Sequence, residues 1–228
     1  MARVLVTLAG TGASDRAHVV RERHLAMLAG AGLVPVLLPG TLSEPAAAEL
    51  AACCVCAYLP GTDYVPTRLE EGESESRRSA ESLGLPWDPW KVRADLLALE
   101  LAWARRLPLL GVCGGMQAMV IRAGGALGPA PAGAHDARVQ AEPVQLVPGS
   151  LAARVLGAAP RANSLHRQAA VAVPDPLRVS ARALDGTVEA VEAPAAEHPF
   201  WLGLQWHPEL LGDGAPYRAL AAAASVPA

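Results

Sequence analysis

The sequence predicts an α/β fold, a three-layer sandwich in which helices cover both faces of a mainly parallel central sheet. Short apolar runs alternate with segments of helical periodicity from the N-terminus to about residue 123, as expected for successive β-α-β units. One of these runs, Leu107–Gly111, contains no polar residue, which is typical of a strand buried on both faces. Shorter apolar runs separated by turn residues predict extra antiparallel strands in the C-terminal half.

The N-terminal half supplies the first strands and helices of this sandwich. Strands are predicted at three apolar runs: Arg3–Leu8, Leu33–Leu38 and Cys53–Leu59. A helix is predicted from about Ala17 to Ala29, with Asp15 as its N-cap and two glycines after its end. A shorter helix at 43–52 begins at Ser43 and has Pro45 in its first turn, where proline is tolerated.

A long charged segment, Pro60–Trp90, interrupts the alternation. Loops of this length are commonly functional, and this one follows a strand end, where open α/β sheets bind ligands. We therefore predict a single domain, residues 1–228, with a lid-like insertion at about 62–90. Two tryptophans, Trp87 and Trp90, either stack on a ligand or fix the loop to the core, and we favour the second role.

The remaining elements follow the same rules. Lys91–Arg106 has apolar residues at helical spacing, and a flexible glycine- and proline-rich connection is predicted around residues 124–131. The later apolar runs predict strands at Val144–Val147, Ala169–Val173, Leu177–Ala183, Thr187–Ala193 and Trp201–Trp206. Asp185 and Gly186 form a hairpin turn signal, and an alanine-rich helix is predicted at about Pro216–Ala223.

Composition and charge exclude several classes of partner. The net charge of -3 and the pI near 6.1 give no basic field, so no nucleic-acid partner is expected. No segment approaches the roughly 18 to 20 uninterrupted apolar residues of a membrane span, and the N-terminus lacks a full signal-peptide core. We expect a cytoplasmic protein without membrane contact. Cys53, Cys54 and Cys56 lack the spacing of a zinc site, so they are interpreted as buried strand residues and no metal is expected.

The stretch LPLLGVCGGMQ, residues 107–117, predicts a strand, a tight turn and a helix, with Cys113 at the turn. This is the arrangement of a nucleophile elbow with cysteine in place of serine. A thiol at a helix N-terminus meets the positive end of the helix dipole, which lowers its pKa, and the N–H of Gly114 faces the position where an oxyanion would form. A purely structural interpretation stays open, because glycine-rich turns are common and buried cysteine is often only a small hydrophobic residue.

A candidate base for this thiol lies near the C-terminus. An apolar strand ends at Trp206 and is followed at once by His207, Pro208 and Glu209. A cysteine nucleophile needs an imidazole to move its proton, and the imidazole needs a carboxylate to fix its tautomer. His207 and Glu209 are two residues apart, so an extended chain would place both side chains on one face.

Three segments in this order resemble class I glutamine amidotransferase-like proteins: GVCGGMQ at 111–117, NSLHRQ at Asn163–Gln168 and GLQWHPE at Gly203–Glu209. More narrowly, the chain resembles the branch of stand-alone gamma-glutamyl hydrolases. The resemblance covers nearly the whole chain, because PGTDYVP at Pro60–Pro66 is similar to the glycine-rich loop after the family's third strand.

The resemblance implies a role for each matching residue. Cys113 would be the nucleophile, His207 the general acid and base, and Glu209 its orienting carboxylate. The N–H groups of Gly61 and Gly114 would form the oxyanion hole. Side chains that would hold the glutamyl part of the substrate are Gln117, Ser164 and His166. Their structural alternatives, which we favour less, are a helix cap for Gln117 and a turn for Ser164. No metal or organic cofactor is required.

The chain departs from the family pattern in four places. Gly114 replaces the arginine that commonly follows the cysteine, and Asp95 stands where glutamate is common. The usual double histidine reads His166-Arg167, which places a fixed cation near the site, so Arg167 joins the substrate-binding candidates. The loop from Thr67 to Trp90 has no obvious family equivalent. These departures leave the three catalytic candidates intact and the distal half of the substrate undefined.

The favoured function is hydrolysis of a gamma-glutamyl amide through a glutamyl thioester, with a small-molecule substrate. A glutaminase subunit that delivers ammonia to a separate synthetase would use the same residues, although the long polar loop suits a covering lid better than a docking face. The third hypothesis is a non-catalytic relative that binds a ligand. The presence of all three catalytic candidates disfavours this hypothesis. Many relatives form dimers, so the resemblance allows a homodimer.

Overall fold

The computed structural model describes residues 2–11, 17–131, 137–158 and 160–225. Its strands, numbered along the chain, are β1 (Ala2–Thr7), β2 (Ala9–Thr11), β3 (Ala17–Val19), β4 (Leu33–Leu38), β5 (Cys56–Leu59), β6 (Leu109–Val112), β7 (Ala126–Pro129), β8 (Ala137–Pro143), β9 (Gln145–Leu146), β10 (Arg161–Ser164), β11 (Gln168–Ala172), β12 (Arg178–Arg182), β13 (Val188–Glu192) and β14 (Trp201–Leu204). Its helices are α1 (Glu22–Gly30), α2 (Glu44–Ala52), α3 (Glu73–Ser82), α4 (Pro89–Ala104), α5 (Gly114–Arg122), α6 (Leu151–Leu156), α7 (Pro208–Leu211) and α8 (Ala215–Ala224).

An eight-stranded sheet forms the centre, in the order β4-β1-β5-β6-β14-β13-β12-β9. The five strands from β4 to β14 are parallel, whereas β13, β12 and β9 continue the sheet in antiparallel pairs. Three two-stranded pairs, β2–β3, β7–β11 and β8–β10, lie outside this sheet. The predicted α/β sandwich with added antiparallel strands is confirmed.

Alternate residues of the parallel strands face two separate hydrophobic clusters. Along β1, Leu5 joins the cluster that contains side chains of α2, α4 and α5, whereas Val4 and Val6 join the cluster on the other face, with side chains of α1, α6 and α8. All three are fully buried, and burial of a Val or Leu side chain stabilises a fold by about 1.5 to 3 kcal/mol. This explains why the strands read as continuous apolar runs rather than alternating ones.

The first helix begins later than predicted. Residues 17–19 form β3 and pair antiparallel with β2, so α1 starts only at Glu22. The helical periodicity correctly predicted a helix in this segment. Its first residues nevertheless form a strand, because they pair with β2. The predicted N-cap, Asp15, lies outside the described residues.

Three other predictions are wrong in part. The segment 60–90 contains a helix, α3, whose first turn carries Glu73 and Glu75, where carboxylates favour the helix dipole. The third strand covers only Cys56–Leu59; Cys53 is exposed at the end of α2 and Cys54 is buried there, so of these three cysteines only Cys56 is a buried strand residue. The connection after α5 includes β7, which pairs with β11.

None of the helices in the described part of the chain is both long and apolar enough to cross a bilayer.

Candidate active site

Cys113 lies at a sharp turn between β6 and α5. Its backbone has φ 52° and ψ −110°, a conformation that L-residues seldom adopt and that nucleophile elbows use. A methyl group on Gly111 would lie 2.8 Å from the carbonyl carbon of Gly115, so the turn requires a glycine there. The Cys113 N–H donates to the Leu204 carbonyl of β14 at 2.7 Å, which fixes the elbow to the adjacent strand. The predicted strand, turn and helix are confirmed.

His207 lies beside Cys113 because β6 and β14 are parallel neighbours and each residue follows the end of its strand. Gly61, at the end of the neighbouring strand β5, contacts both residues. A methyl group on Gly61 would lie 3.0 Å from His207 Cε1 and 3.2 Å from Cys113 Cβ. The structure thus brings the cysteine and the histidine together at the carboxyl edge of the sheet.

Glu209 binds the other side of the His207 ring. Its Oε1 lies 2.6 Å from His207 Nδ1, and because a carboxylate only accepts, Nδ1 donates and Nε2 is left for the thiol. The spacing of the two residues predicted that an extended chain would bring their side chains together, but the chain is not extended here. His207 is the N-cap of α7, and Glu209 lies in the first turn of that helix.

Electrostatics favour the imidazolium form of His207. Burial alone would lower the pKa of this ring, but the charge and hydrogen bond of Cys113, together with those of Glu209, outweigh burial and raise the pKa to about 10. Burial also opposes ionisation of Glu209, yet the hydrogen bond and charge of His207 hold its pKa below the usual range. His207 and Glu209 therefore stabilise each other's charged forms.

A buried aromatic cluster lies behind Glu209. His24 Nε2 is 3.8 Å from Glu209 Oε1, and the hydroxyl of Tyr58 is 2.6 Å from His24 Nδ1 and 3.1 Å from the hydroxyl of Tyr217. Burial is the main cause that lowers the pKa of His24, to about 4, so this ring is neutral near pH 7. The cluster separates Glu209 from solvent without adding a competing cation.

Side-chain amides line the space beside Cys113. Gln205 Nε2 donates to Cys113 Sγ at 3.8 Å, and Gln117 Nε2 donates to Gln205 Oε1 at 3.3 Å and to the Gln168 carbonyl at 2.8 Å. Asn163 fixes the His207 backbone by accepting from its N–H at 2.8 Å and donating to its carbonyl at 3.2 Å. Gln117 is therefore linked to Cys113 through Gln205, a residue that the sequence pattern did not indicate.

The remaining substrate-binding candidates lie at the end of β10, which is Ser164, and in the turn that leads to β11, which contains His166 and Arg167. Ser164 Oγ lies 3.4 Å from Nε2 of the buried His166, which is also 3.7 Å from Glu189 Oε1. Arg167 is exposed, whereas His166 beside it is buried. Glu189, buried on β13, gave no sequence signal beyond its place in an apolar run. Gln205 could have been found from its spacing, two residues before His207.

The loop after β5 lies directly on the N-terminus of α5. A methyl group on Gly114 would lie 2.6 Å from the Thr62 backbone nitrogen, so glycine at this position permits the contact. Neither the Gly61 N–H nor the Gly114 N–H donates to an acceptor within the described part of the chain.

We predict that Gly114→Ala lowers the rate of substrate turnover by about 100-fold, the scale of losing one oxyanion donor. The added methyl group would push Thr62 and the attached loop away from the elbow, because it cannot fit at 2.6 Å. Steady-state kinetics on the purified variant would measure the loss. Gly72→Ala, where a methyl group meets nothing within 4 Å, is the matched control; equal rates in Gly114→Ala and wild type would contradict the packing argument.

Comparison with protein-family models matches residues 7–209 to the family described as Peptidase C26. The chain belongs to the Peptidase C26 family. Among curated relatives, gamma-glutamyl-gamma-aminobutyrate hydrolase PuuD of Escherichia coli (strain K12) is 31% identical over 212 residues, which cover 84% of this chain and 79% of that protein. Membership of Peptidase C26 and this similarity support a hydrolase.

Two further similarities extend beyond these hydrolases. CTP synthase of Nocardia farcinica (strain IFM 10152) is 32% identical over 151 residues, which cover 50% of this chain and 26% of that protein. The solved glutaminase domain of Trypanosoma brucei CTPS with bound acivicin superposes with a TM-score of 0.67 at 18% identity, covering 99% of this chain and 94% of that one. Because the identity to this glutaminase domain is only 18%, the superposition shows that the two chains share a fold and nothing further.

All four cysteines are free, and no group of three or more His, Cys, Asp or Glu side chains in residues 2–11, 17–131, 137–158 and 160–225 is placed to hold a metal ion.

Proposed function

We propose that this protein is a cysteine-dependent hydrolase that cleaves a gamma-glutamyl amide into glutamate and an amine. The observation that carries the proposal is the contact of Cys113 with His207, whose Nδ1 is held by Glu209 at 2.6 Å. A thiol beside a partly exposed imidazole that a carboxylate holds is the arrangement that nucleophilic acyl transfer requires. The 31% identity to a gamma-glutamyl-gamma-aminobutyrate hydrolase supports the substrate class.

Acylation would begin from the pair of Cys113 thiolate and His207 imidazolium. The thiolate attacks the gamma-carbonyl carbon, and the carbonyl oxygen becomes an oxyanion that accepts from the Gly61 and Gly114 N–H groups. The carbon–nitrogen bond then breaks while His207 gives its proton to the departing nitrogen. The products are a free amine, a gamma-glutamyl thioester on Cys113 and a neutral imidazole.

Deacylation would use the change in charge that acylation causes. The thiolate charge, which helps to raise the pKa of His207, disappears when the thioester forms. The pKa of His207 then falls, so the neutral ring can take a proton from water as this water attacks the thioester. Collapse of the second oxyanion releases glutamate and restores the thiolate and the imidazolium.

The glutamyl group would be held beside the elbow by the candidates that line it. Gln117 lies in the hydrogen-bonded amide chain that reaches Cys113. Ser164 ends β10, directly after Asn163, and His166 lies in the turn that follows. Arg167, exposed on the same turn, would attract the carboxylate of the substrate from solvent. We assign these side chains to substrate binding.

The segment 62–90 is proposed as the lid of this single-domain enzyme. It begins with Thr62, against the elbow, and its Tyr64 packs edge-on to Trp87 with ring centroids 5.9 Å apart. Tyr64 is itself fully buried, so this contact ties Trp87 to a buried part of the segment and supports the fixing role rather than ligand stacking. We propose a cytoplasmic location, where glutathione and thioredoxin keep free thiols such as Cys113 reduced.

The substrate class can be tested by incubating purified protein with a panel of gamma-glutamyl amides and with free glutamine, followed by detection of amine, ammonia and glutamate. Turnover of at least one gamma-glutamyl amide at a higher kcat/KM than glutamine is expected. Exclusive turnover of glutamine would contradict the hydrolase assignment.

A glutaminase subunit is the second candidate function. The observation that favours it is the fold shared over 99% of the chain with a CTPS glutaminase domain. The same Cys113 chemistry would then release ammonia from glutamine. Glutaminase activity that rises sharply when a co-purified synthetase is added would favour this function over independent hydrolysis.

We predict that Glu209→Gln lowers kcat/KM at least about tenfold, since the general base loses its orienting carboxylate, and moves the alkaline limb of the pH profile to lower pH. The sign follows from His207, whose pKa rises from 6.5 to about 10 on folding. The bound proton stabilises the fold fully below pH 6.5, and this stabilisation is lost as pH rises through about 10. Without the Glu209 charge, the pKa of His207 is lower, so the imidazolium loses its proton at a lower pH.

The control for this prediction is Glu192→Gln. Glu192 is also a buried carboxylate, but it accepts from Arg178 and from the Ala152 N–H rather than from a histidine. The alkaline limb of the pH profile of Glu192→Gln should match that of wild type. An unshifted limb in Glu209→Gln would refute the proposed coupling between Glu209 and His207.

A further inference from the structure

Lys91, near the start of α4, is fully buried, which is rare for lysine. Its Nζ donates to Asp95 Oδ2 at 2.5 Å, to the Pro60 carbonyl at 3.0 Å and to Thr7 Oγ1 at 3.3 Å. The Thr7 hydroxyl in turn donates to Asp95 Oδ1 at 2.6 Å. Each of the three ammonium hydrogens therefore has an acceptor, and the head group is held in one place.

A buried pair of Lys91 and Asp95 is poorly explained by stability alone. Removing two charges from water costs several kcal/mol per ion, and apolar side chains of similar size commonly do as well. What apolar side chains could not replace is the bond from Lys91 to Pro60, which joins α4 to the loop after β5. That loop is the one that contacts both Cys113 and His207.

The Pro60 carbonyl and the Gly61 N–H belong to the same peptide unit. A trans peptide is planar, so these two groups point in opposite directions and fixing one fixes the other. Lys91 holds the carbonyl on the side of α4, and the Gly61 N–H has no acceptor among the described residues. A cation on the carbonyl oxygen also polarises the peptide, which strengthens its N–H as a donor.

We propose that Lys91 is a positioning residue for the reaction, one that orients and polarises the Pro60–Gly61 peptide so that the Gly61 N–H can stabilise the oxyanion. The inference rests on the proposed function, because it needs an acyl-transfer reaction at Cys113. It assigns to a side chain of α4 an effect on the transition state that passes through the Pro60–Gly61 peptide.

The test uses Asp95→Asn as a shared background, so that no buried carboxylate is left without its partner. Adding Lys91→Met removes the donor to Pro60, and hydrolysis of the best gamma-glutamyl amide should fall about 10- to 100-fold in kcat, somewhat less than loss of a whole oxyanion donor. Adding Lys91→Gln instead keeps an N–H donor and should recover part of that rate. Circular dichroism and thermal unfolding establish that both double variants are folded.

Alkylation of Cys113 by iodoacetamide separates this role from a merely structural one. Alkylation displaces iodide and forms no oxyanion, so its second-order rate should stay within about threefold of the Asp95→Asn rate, while hydrolysis falls. If the Lys91→Met double variant does not fold, the Lys91→Gln double variant is compared with Asp95→Asn in the same two assays.

Two results would overturn the role of Lys91: equal kcat in the lysine variants and in Asp95→Asn, or parallel loss of hydrolysis and alkylation. In both cases the proposed function stands, provided that wild type hydrolyses the substrate. A wild-type protein that cleaves no gamma-glutamyl amide overturns the proposed function and the Lys91 role together.

Discussion

Replacing Cys113 with alanine is expected to abolish hydrolysis, with a loss of about 10,000-fold or more, because no other group can form the thioester. The fold should persist. Cys113 is almost fully buried but small, so truncation to alanine removes one sulfur atom and leaves the elbow backbone unchanged. Amine release and thermal unfolding, measured on the same preparation, check both halves of the prediction.

The matched control is Cys53→Ala. Cys53 is a free thiol like Cys113, but it is exposed at the end of α2. Its replacement should leave kcat/KM and the unfolding temperature unchanged. Residual hydrolysis above about one hundredth of wild type in Cys113→Ala would remove the cysteine from the mechanism, because a lost nucleophile costs far more than that.

Replacing His207 with glutamine is the second large effect, with an expected loss of about 1,000- to 10,000-fold in kcat. The variant lacks the acid that protonates the amine and the base that activates water. The two hydrogen bonds from Asn163 to the backbone of residue 207 do not depend on the imidazole, so the chain should stay in place. Alkylation of Cys113 by iodoacetamide should also slow near neutral pH, because the thiolate loses its cation.

His198→Gln serves as its control. His198 is buried against Trp103 and Trp201, and Trp201 begins β14 at the end opposite Cys113. Its loss should alter stability more than kcat. A His207→Gln variant that keeps more than about one tenth of the wild-type kcat would be incompatible with general acid–base catalysis by this ring.

The sequence was most informative where structure depends on local pattern. The apolar run before Gly111 and the glycines around Cys113 predicted the elbow, since a strand buried on both faces and a turn without room for side chains each leave a composition signal. The position of His207 after a second strand was equally clear. Their contact followed from the resemblance and from parallel topology rather than from either segment alone.

What the sequence did not predict depends on contacts between distant segments. β3 replaced the start of a helix because it pairs with β2, and α3 was missed because it buries only Ser76 and Ala80 and so shows little apolar periodicity. The sequence places Lys91 on a predicted helix but does not indicate its hydrogen bond to the Pro60 carbonyl, which forms only in the folded chain. The order of strands in the sheet is likewise set by pairing that no single segment encodes.

We propose that acyl transfer passes through a gamma-glutamyl thioester on Cys113. Mass spectrometry of the protein, acid-quenched during turnover of a gamma-glutamyl anilide, tests it most directly. Wild type should carry one glutamyl group on the peptide that contains Cys113, and His207→Gln should accumulate more of it, since an anilide leaves with little help from an acid while deacylation lacks its base. Steady turnover with no modification of Cys113, or a glutamyl group on any other residue, would contradict the account.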